Sequence, residues 1–295
     1  MKDYMTHFWL VPVFSGIIWW CMLIVMLSLW SNEGFQTYTW MEKSEQKILY
    51  LSDIAAEGHG AIFIGCAASQ GALFVLSLVT ETYLRNVGWL RPNHRTYGQV
   101  CSGLAIFFAV VGQLGILFVS IFNTREYHHA HISLLVVFIV FVGISAICSC
   151  AEYMALDKDY VHKRHMIWGF WLKVVWFVIE LVMVIVFGST QKNHVNVPAV
   201  FEWIICFLYP FYHLILAWDL WPAIGKRKGH YPKYNDGYPV EEMLTRWESQ
   251  SQAPPDDEYP LNWRTSLAKP TSTEGIKNDV YEYSDALPYD GYRNT

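Results

Sequence analysis

The chain has 295 residues, 53% of them hydrophobic, with 14 Trp, 18 Tyr and 17 Phe, and a formal net charge of −5. A soluble protein of this length distributes apolar residues over one or two cores with balanced surfaces, whereas here they fall into six blocks. That pattern places any function in, across or on a membrane, and no nucleic-acid partner is expected.

The blocks are residues 8–30, 61–80, 98–122, 130–151, 166–188 and 200–221. Each approaches or exceeds the roughly 20 apolar residues that cross a bilayer core. The expected fold is all-α, a polytopic membrane protein with a six-transmembrane-helix bundle over residues 1–222. A disordered cytosolic tail over 223–295 completes it. The first block is too long for the apolar core of a cleaved signal peptide, so it is expected to remain as the first span.

The segment 31–60 carries Asp53, Glu57 and His59 and reads as a polar loop on the outer side. Residues 81–97 read as a polar break on the opposite side, with Arg85, Arg91 and Arg95. Glu81 and Arg85, four apart, suit a helical ion pair there. The turn 123–129 faces outward with Asn123 and His128, and His131 follows in the next span. The break 152–165 returns Lys158, Lys163 and Arg164 to the inner side, and 189–199 closes the outward face.

Six spans put both termini on one side, and cytoplasmic loops concentrate Lys and Arg. One face collects eleven such residues (Lys2, Arg85, Arg91, Arg95, Lys158, Lys163, Arg164, Lys226, Arg227, Lys228 and Lys233); the other has Lys43, Lys47, Arg125 and Lys192. Both termini are therefore expected in the cytosol. Trp residues near span ends, including Trp9, Trp30, Trp168, Trp171, Trp203, Trp218 and Trp221, read as interfacial anchors. The span lengths favour the thicker plasma membrane, with vacuole or lysosome and endoplasmic reticulum or Golgi as alternatives.

Ionisable groups at membrane depth are expensive and point to function. Lys173 and Glu180 in the fifth span and His213 in the sixth form a candidate intramembrane polar site. The competing reading has Lys173 reaching the headgroups and Glu180 satisfied by a neighbouring helix. His128, His129 and His131 lie on the face opposite His162 and His165, so the two groups cannot share a metal, and none is expected. Nor does any phosphate loop, nucleophile elbow or His-Glu-x-x-His motif occur. No catalytic residue and no cofactor are assigned.

From Pro222 onward the chain holds nine Lys/Arg against twelve Asp/Glu and no apolar period, a composition too polar to fold alone. Lys226-Arg227-Lys228 follows the last span directly, where each basic residue gains about 1 kcal/mol near anionic lipid. Together with Arg85, Arg91, Arg95, Lys163 and Arg164, these form the candidate headgroup-binding set, for anionic phospholipid or phosphoinositide.

Several strings in order resemble one family. They begin with Phe8-Trp9, Pro12, Ser15-Gly16 and Trp19, then Tyr50-Leu51-Ser52-Asp53-Ile54-Ala55 and Phe63-Ile64-Gly65-Cys66. Ser77-Leu78, Glu81, Tyr83-Leu84-Arg85, Gly88 and Pro92-Asn93 follow. Next come Ser120-Ile121-Phe122-Asn123-Thr124 with His128 and His131, then Glu152-Tyr153 and Phe170-Trp171-Leu172-Lys173 with Glu180. Asn196, Ala199-Val200, Glu202-Trp203 and Phe211-Tyr212 end the series.

This order resembles the Frag/DRAM/Sfk family of six-span membrane proteins, most of all its fungal suppressor-of-four-kinase branch, over residue 8 to about 222. The outward-facing motif of Asp53, Asn123, His128 and His131 departs from it in one place, since the family usually has Asp where Asn123 stands. The resemblance implies a non-enzymatic regulator of lipid homeostasis at the plasma membrane, supporting recruitment of a phosphatidylinositol 4-kinase and lipid asymmetry. The alternatives are a lipid transporter or scramblase-like protein using Lys173, Glu180 and His213. A lipid-remodelling enzyme, related to glycosylphosphatidylinositol lipids and using Asp53, His128 and His131, is the other.

Overall fold

The structure, a computed structural model, describes residues 7–41, 45–159, 164–192 and 194–224. Lys163, Lys226, Arg227, Lys228 and the tail expected to be disordered lie outside these residues.

Helix α1 spans Leu10–Asn32, α2 Leu51–Ile54, α3 Gly60–Asn86, α4 Thr96–Ile121, α5 His128–Asp159, α6 Arg164–Thr190 and α7 Val197–Leu220. A 3-10 turn, Trp221–Ala223, ends the series, and no strand occurs among the described residues. Six helical segments are long and apolar enough to cross a membrane, α2 and α3 counting as one of 36 residues. The all-α, six-span architecture read from the apolar blocks is the one observed.

Of the boundaries that differ from the sequence reading, two have a physical reason in the packing and backbone. Residues 51–54 form α2 rather than loop, and a π-type turn at Ala55–His59 carries the chain into α3. The bend is made at Gly58, whose φ of +104° is costly for any residue with a Cβ. At its other end α3 continues to Asn86, past the expected stop at 80, because Glu81 and Arg85 are buried and paired and so do not need water.

The helices pack in a ring in the order α1, α3, α4, α5, α6, α7, with α7 closing onto α1 and touching α3 across the middle. Neighbours α5 and α6 touch most sparingly. The α4–α5 seam is the closest, and small residues make it so. A Cβ on Gly115 would stand 2.9 Å from the Phe138 backbone nitrogen, and one on Gly112 would stand 2.7 Å from Val142 Cγ2. In lipid, where apolar surface gains nothing from leaving water, such backbone-to-backbone approach supplies packing energy.

Pro210 sits inside α7. Its missing N–H leaves the carbonyl of Cys206, four residues earlier, without its helical donor. The Trp19 indole of α1 donates to that oxygen at 3.0 Å. Trp20 donates to Phe207 O at 3.0 Å and Trp176 to Leu208 O at 3.1 Å. Three indoles thus line the weakened turn, and α1 and α6 are fastened to α7 through it. Trp30 and Trp203, read from the sequence as interfacial anchors, are buried instead; Trp203 donates to Leu49 O at 2.9 Å.

Substituting Gly115→Leu should lower stability by about 1–3 kcal/mol through overpacking. Gly103→Leu should be tolerated, since nothing lies within 4 Å of a Cβ there. Thermal unfolding of the detergent-solubilised variants checks this; equal melting of the two would contradict the close seam.

Candidate functional site

The polar residues of the bundle gather in three places: the end where α3 and α7 finish and α4 and α6 begin, the middle, and the far end.

At the first end five ionisable side chains from four helices meet. Glu81 and Arg85 come from α3, Glu152 from α5, Lys173 from α6 and Asp219 from α7. Arg85 Nη2 lies 2.6 Å from Glu81 Oε1, and its Nε lies 3.5 Å from Glu152 Oε1. Lys173 Nζ lies 2.7 Å from Asp219 Oδ2, with both side chains 0% exposed. Tyr153 stands between the two pairs. Its hydroxyl donates to Glu81 at 3.0 Å, while the Lys173 ammonium sits 3.4 Å from its ring centroid and the Arg85 guanidinium carbon 5.2 Å. Arg85 also donates to the Arg91 carbonyl at 3.1 Å, tying the following loop to the cluster. Gly169 on α6 makes room for the pair, since a Cβ there would come within 2.7 Å of Asp219 Oδ1.

This arrangement corrects two expectations. Arg85, expected at the headgroup surface, is buried with its guanidinium among carboxylates. Lys173 does not reach toward headgroups, because Asp219 and the Tyr153 ring hold it inside the bundle. Of the remaining basic candidates, Arg95 and Arg164 are exposed, and Arg91 is half-buried with its guanidinium 3.9 Å from Met166 Sδ. Tyr97, Trp168, Trp171, Trp218 and Trp221, on the α4, α6 and α7 segments that meet at this end, are exposed and form an aromatic rim there.

In the middle, Gln70 of α3 donates to Tyr209 Oη at 3.1 Å and lies 3.0 Å from His213 Nε2. Gln113 of α4 donates to the same Tyr209 oxygen at 2.7 Å. Ser15 of α1 donates to the Gln70 carbonyl at 2.8 Å. His213, 0% exposed, is thus a member of a hydrogen-bonded chain crossing α1, α3, α4 and α7. Glu180 stands elsewhere, at the wall of an apolar cavity of about 310 Å³ between α5, α6, α7 and Trp19. No hydrogen bond or ion pair joins any two of Lys173, Glu180 and His213 among the described residues. The expected single site is three separate environments, because each of the other two residues has a stronger partner on a helix nearer to it.

At the far end the outward-facing motif is used for fastening. Asp53, 5% exposed, accepts from the Gln46 amide at 2.9 Å and the Tyr50 backbone N–H at 3.1 Å, capping α2. Glu202 accepts from Leu51 N–H at 3.0 Å, and Asn196 Oδ1 accepts from Lys47 and Ile48 N–H. Burial, reinforced by the Glu202 and Asp53 carboxyls, pushes the Tyr50 phenol up to about 12, so it keeps its proton at any physiological pH. His131 Nδ1 meets the Phe122 carbonyl at 2.9 Å and that of Val119 at 3.1 Å, closing the end of α4. Asn123 Oδ1 accepts from Glu126 N–H at 2.8 Å, a turn-capping role that Asn fills as well as Asp. His128 is exposed, with Nδ1 3.3 Å from Thr124 Oγ1. Among the described residues no three His, Cys, Asp or Glu side chains converge in a way that would hold a metal ion.

Sequence reasoning missed Glu152, Tyr153, Gln70, Gln113 and Tyr209 as site members. The available signal was Glu81 four residues before Arg85, a helical pair spacing in a segment read as loop. Lys173→Met should destabilise the bundle by about 3–5 kcal/mol, because it leaves Asp219 buried without its counter-charge. Lys173→Met combined with Asp219→Leu should recover most of that loss. Melting temperatures of the purified variants measure it; additive damage in the double variant would contradict the pairing.

The Frag1/DRAM/Sfk1/Cwh43P N-terminal domain model matches residues 7–223. Protein SFK1 of Saccharomyces cerevisiae is 26% identical over 338 aligned positions, which cover 92% of this chain and 94% of the yeast protein. Protein sfk1 of Schizosaccharomyces pombe is 28% identical over 217 positions, 74% of this chain and 65% of the relative. No solved structure matches the chain. With its six apolar helices and a family match over most of its length, the chain belongs to the Frag1/DRAM/Sfk1/Cwh43P family of multi-pass membrane proteins.

Proposed function

We propose that this protein is a non-enzymatic regulator of lipid homeostasis at the plasma membrane that supports a phosphatidylinositol 4-kinase assembly at the cytosolic surface. The observation that carries the reading is the basic end of the bundle. There the buried cluster fixes α3, α5, α6 and α7 relative to one another, and Arg95 and Arg164 stand exposed within the aromatic rim. Positive charge beside interfacial Trp and Tyr is the chemistry that holds anionic headgroups at a membrane surface. The excess of Lys and Arg on this end favours its lying in the cytosol. The family resemblance supplies the kinase link, and the polar composition of the sequence after residue 224 supports a segment that docks a soluble partner.

The far end supports a structural role over an enzymatic one. Of Asp53, His128 and His131, which a lipid-remodelling enzyme would use there, Asp53 caps α2 through Gln46 and the Tyr50 N–H, and His131 Nδ1 meets two backbone carbonyls.

One experiment with two variants tests the proposal, using a phosphatidylinositol 4-phosphate reporter and a tagged kinase in cells lacking the wild-type protein. A chain ending at residue 230 should insert normally but lose kinase recruitment. Arg95→Gln with Arg164→Gln should weaken the anionic-lipid contact by about 2 kcal/mol in total and lower the reporter signal. Full recruitment and signal with both variants would overturn the proposal.

A further inference from the structure

A cavity between α5, α6 and α7 has Glu180 in its wall. Its wall is hydrocarbon apart from Glu180 and groups already engaged elsewhere. The Tyr209 oxygen accepts from Gln70 and Gln113, and the Cys206 carbonyl accepts from Trp19. Glu180 is 8% exposed, and its Oε1 is buried with no hydrogen-bond partner. A buried carboxyl left in this state is costly, and in the bilayer interior it marks a place where something else supplies the partner. The volume, about 310 Å³, falls at the lower bound of small-molecule sites.

Three further observations select the partner's chemistry. The first is depth: Glu180 is ten residues from the end of α6 at Thr190, about 15 Å along the helix axis. A polar group reaching it must be small enough to enter hydrocarbon, which a phosphodiester headgroup is not. The second is charge. The cavity wall holds no cation, and the nearby Lys173 is committed to Asp219, so an anionic ligand has no counter-charge there. The third is access. Val140, Ile147 and Leu181, at 46%, 51% and 44% exposed, line the cavity and also face outward from the ring, where α5 and α6 touch least. The opening therefore faces lipid, not water, and an apolar cavity of this kind stays dry.

We propose that this cavity is a lateral binding site for a neutral membrane lipid, which hydrogen-bonds Glu180 through a hydroxyl group and lays its hydrocarbon along the α5–α6 opening. Diacylglycerols, ceramides and sterols share that chemistry. Gly143 controls the space. It lines the cavity, and a Cβ there meets only Phe177 Cε2, at 3.7 Å. Alanine therefore fits without strain, and a larger side chain fills the void. This site stands independently of kinase docking, since its readout requires neither the tail nor a soluble partner.

The test is photo-crosslinking of the purified full-length protein in phosphatidylcholine vesicles. Diazirine-bearing diacylglycerol, ceramide, sterol and phosphatidylcholine are supplied in separate arms, and labelled peptides are mapped by mass spectrometry. At least one alcohol should label the cavity walls around Ile144–Ile147 and Leu181–Val184, and the arm that does so identifies the lipid class. Glu180→Leu should cut that labelling about tenfold, the loss corresponding to one hydrogen bond to a carboxyl. It should not lower thermal stability, since it removes an unpartnered polar group. Gly143→Leu should abolish labelling with Glu180 in place, and Gly143→Ala should preserve it. Equal labelling by phosphatidylcholine, no labelling by any alcohol, or labelling unchanged by both Glu180→Leu and Gly143→Leu would overturn the site.

Discussion

Water is missing along most of each spanning helix, so a polar group there is satisfied by protein or it is not satisfied at all. The cluster of Glu81, Arg85, Glu152, Lys173 and Asp219 follows from that constraint. Each cation has a carboxylate within ion-pair distance, and the Tyr153 ring fills the space between the pairs. Because the five side chains arise from four helices, the cluster also sets how α3, α5, α6 and α7 meet. Desolvation makes each charge expensive alone and strongly attracted to the right neighbour, which is a source of specificity as much as of strength. The Arg95 and Arg164 surface depends on this: the bundle end is held by buried charge, and these two exposed side chains lie outside it.

The same constraint explains the tryptophans. A proline inside a spanning helix is tolerated when side chains answer the carbonyl it orphans, and here the indoles of Trp19, Trp20 and Trp176 line Cys206, Phe207 and Leu208. Gln70, Gln113 and Tyr209 answer one another across three helices in the same way. What sets Glu180 apart is its place: its buried Oε1 has no hydrogen-bond partner and stands at the wall of a cavity open toward lipid, which directs attention to a ligand.

The fold was legible in the sequence because crossing a bilayer demands long apolar blocks, and length alone marks them. Helix ends were less legible. Glu81 and Arg85 look like water-seeking residues that end the second span at 80, and although their spacing suits an ion pair, a one-dimensional pattern does not reveal that the pair is buried inside the bundle. Lys173, Glu180 and His213 stand out in the sequence as intramembrane polar residues, but depth along a helix leaves the direction each side chain faces open. Lys173 therefore went to Asp219, His213 to Gln70, and Glu180 to the cavity. Asp53, Asn123 and His131 were recognisable as a motif, whereas their fastening of backbone groups required knowing that loop 45–50 lies against α7 through Asn196 and Trp203.

The claim on which the account rests most heavily is that Lys173 is sealed within the bundle as half of an ion pair. Amine-reactive labelling of the protein in native membranes, read by mass spectrometry before and after detergent denaturation, measures this directly. The account predicts that exposed Lys47 and Lys192 are modified at once, while Lys173 reacts only after unfolding. Modification of Lys173 in the native membrane at the rate of those two would contradict it.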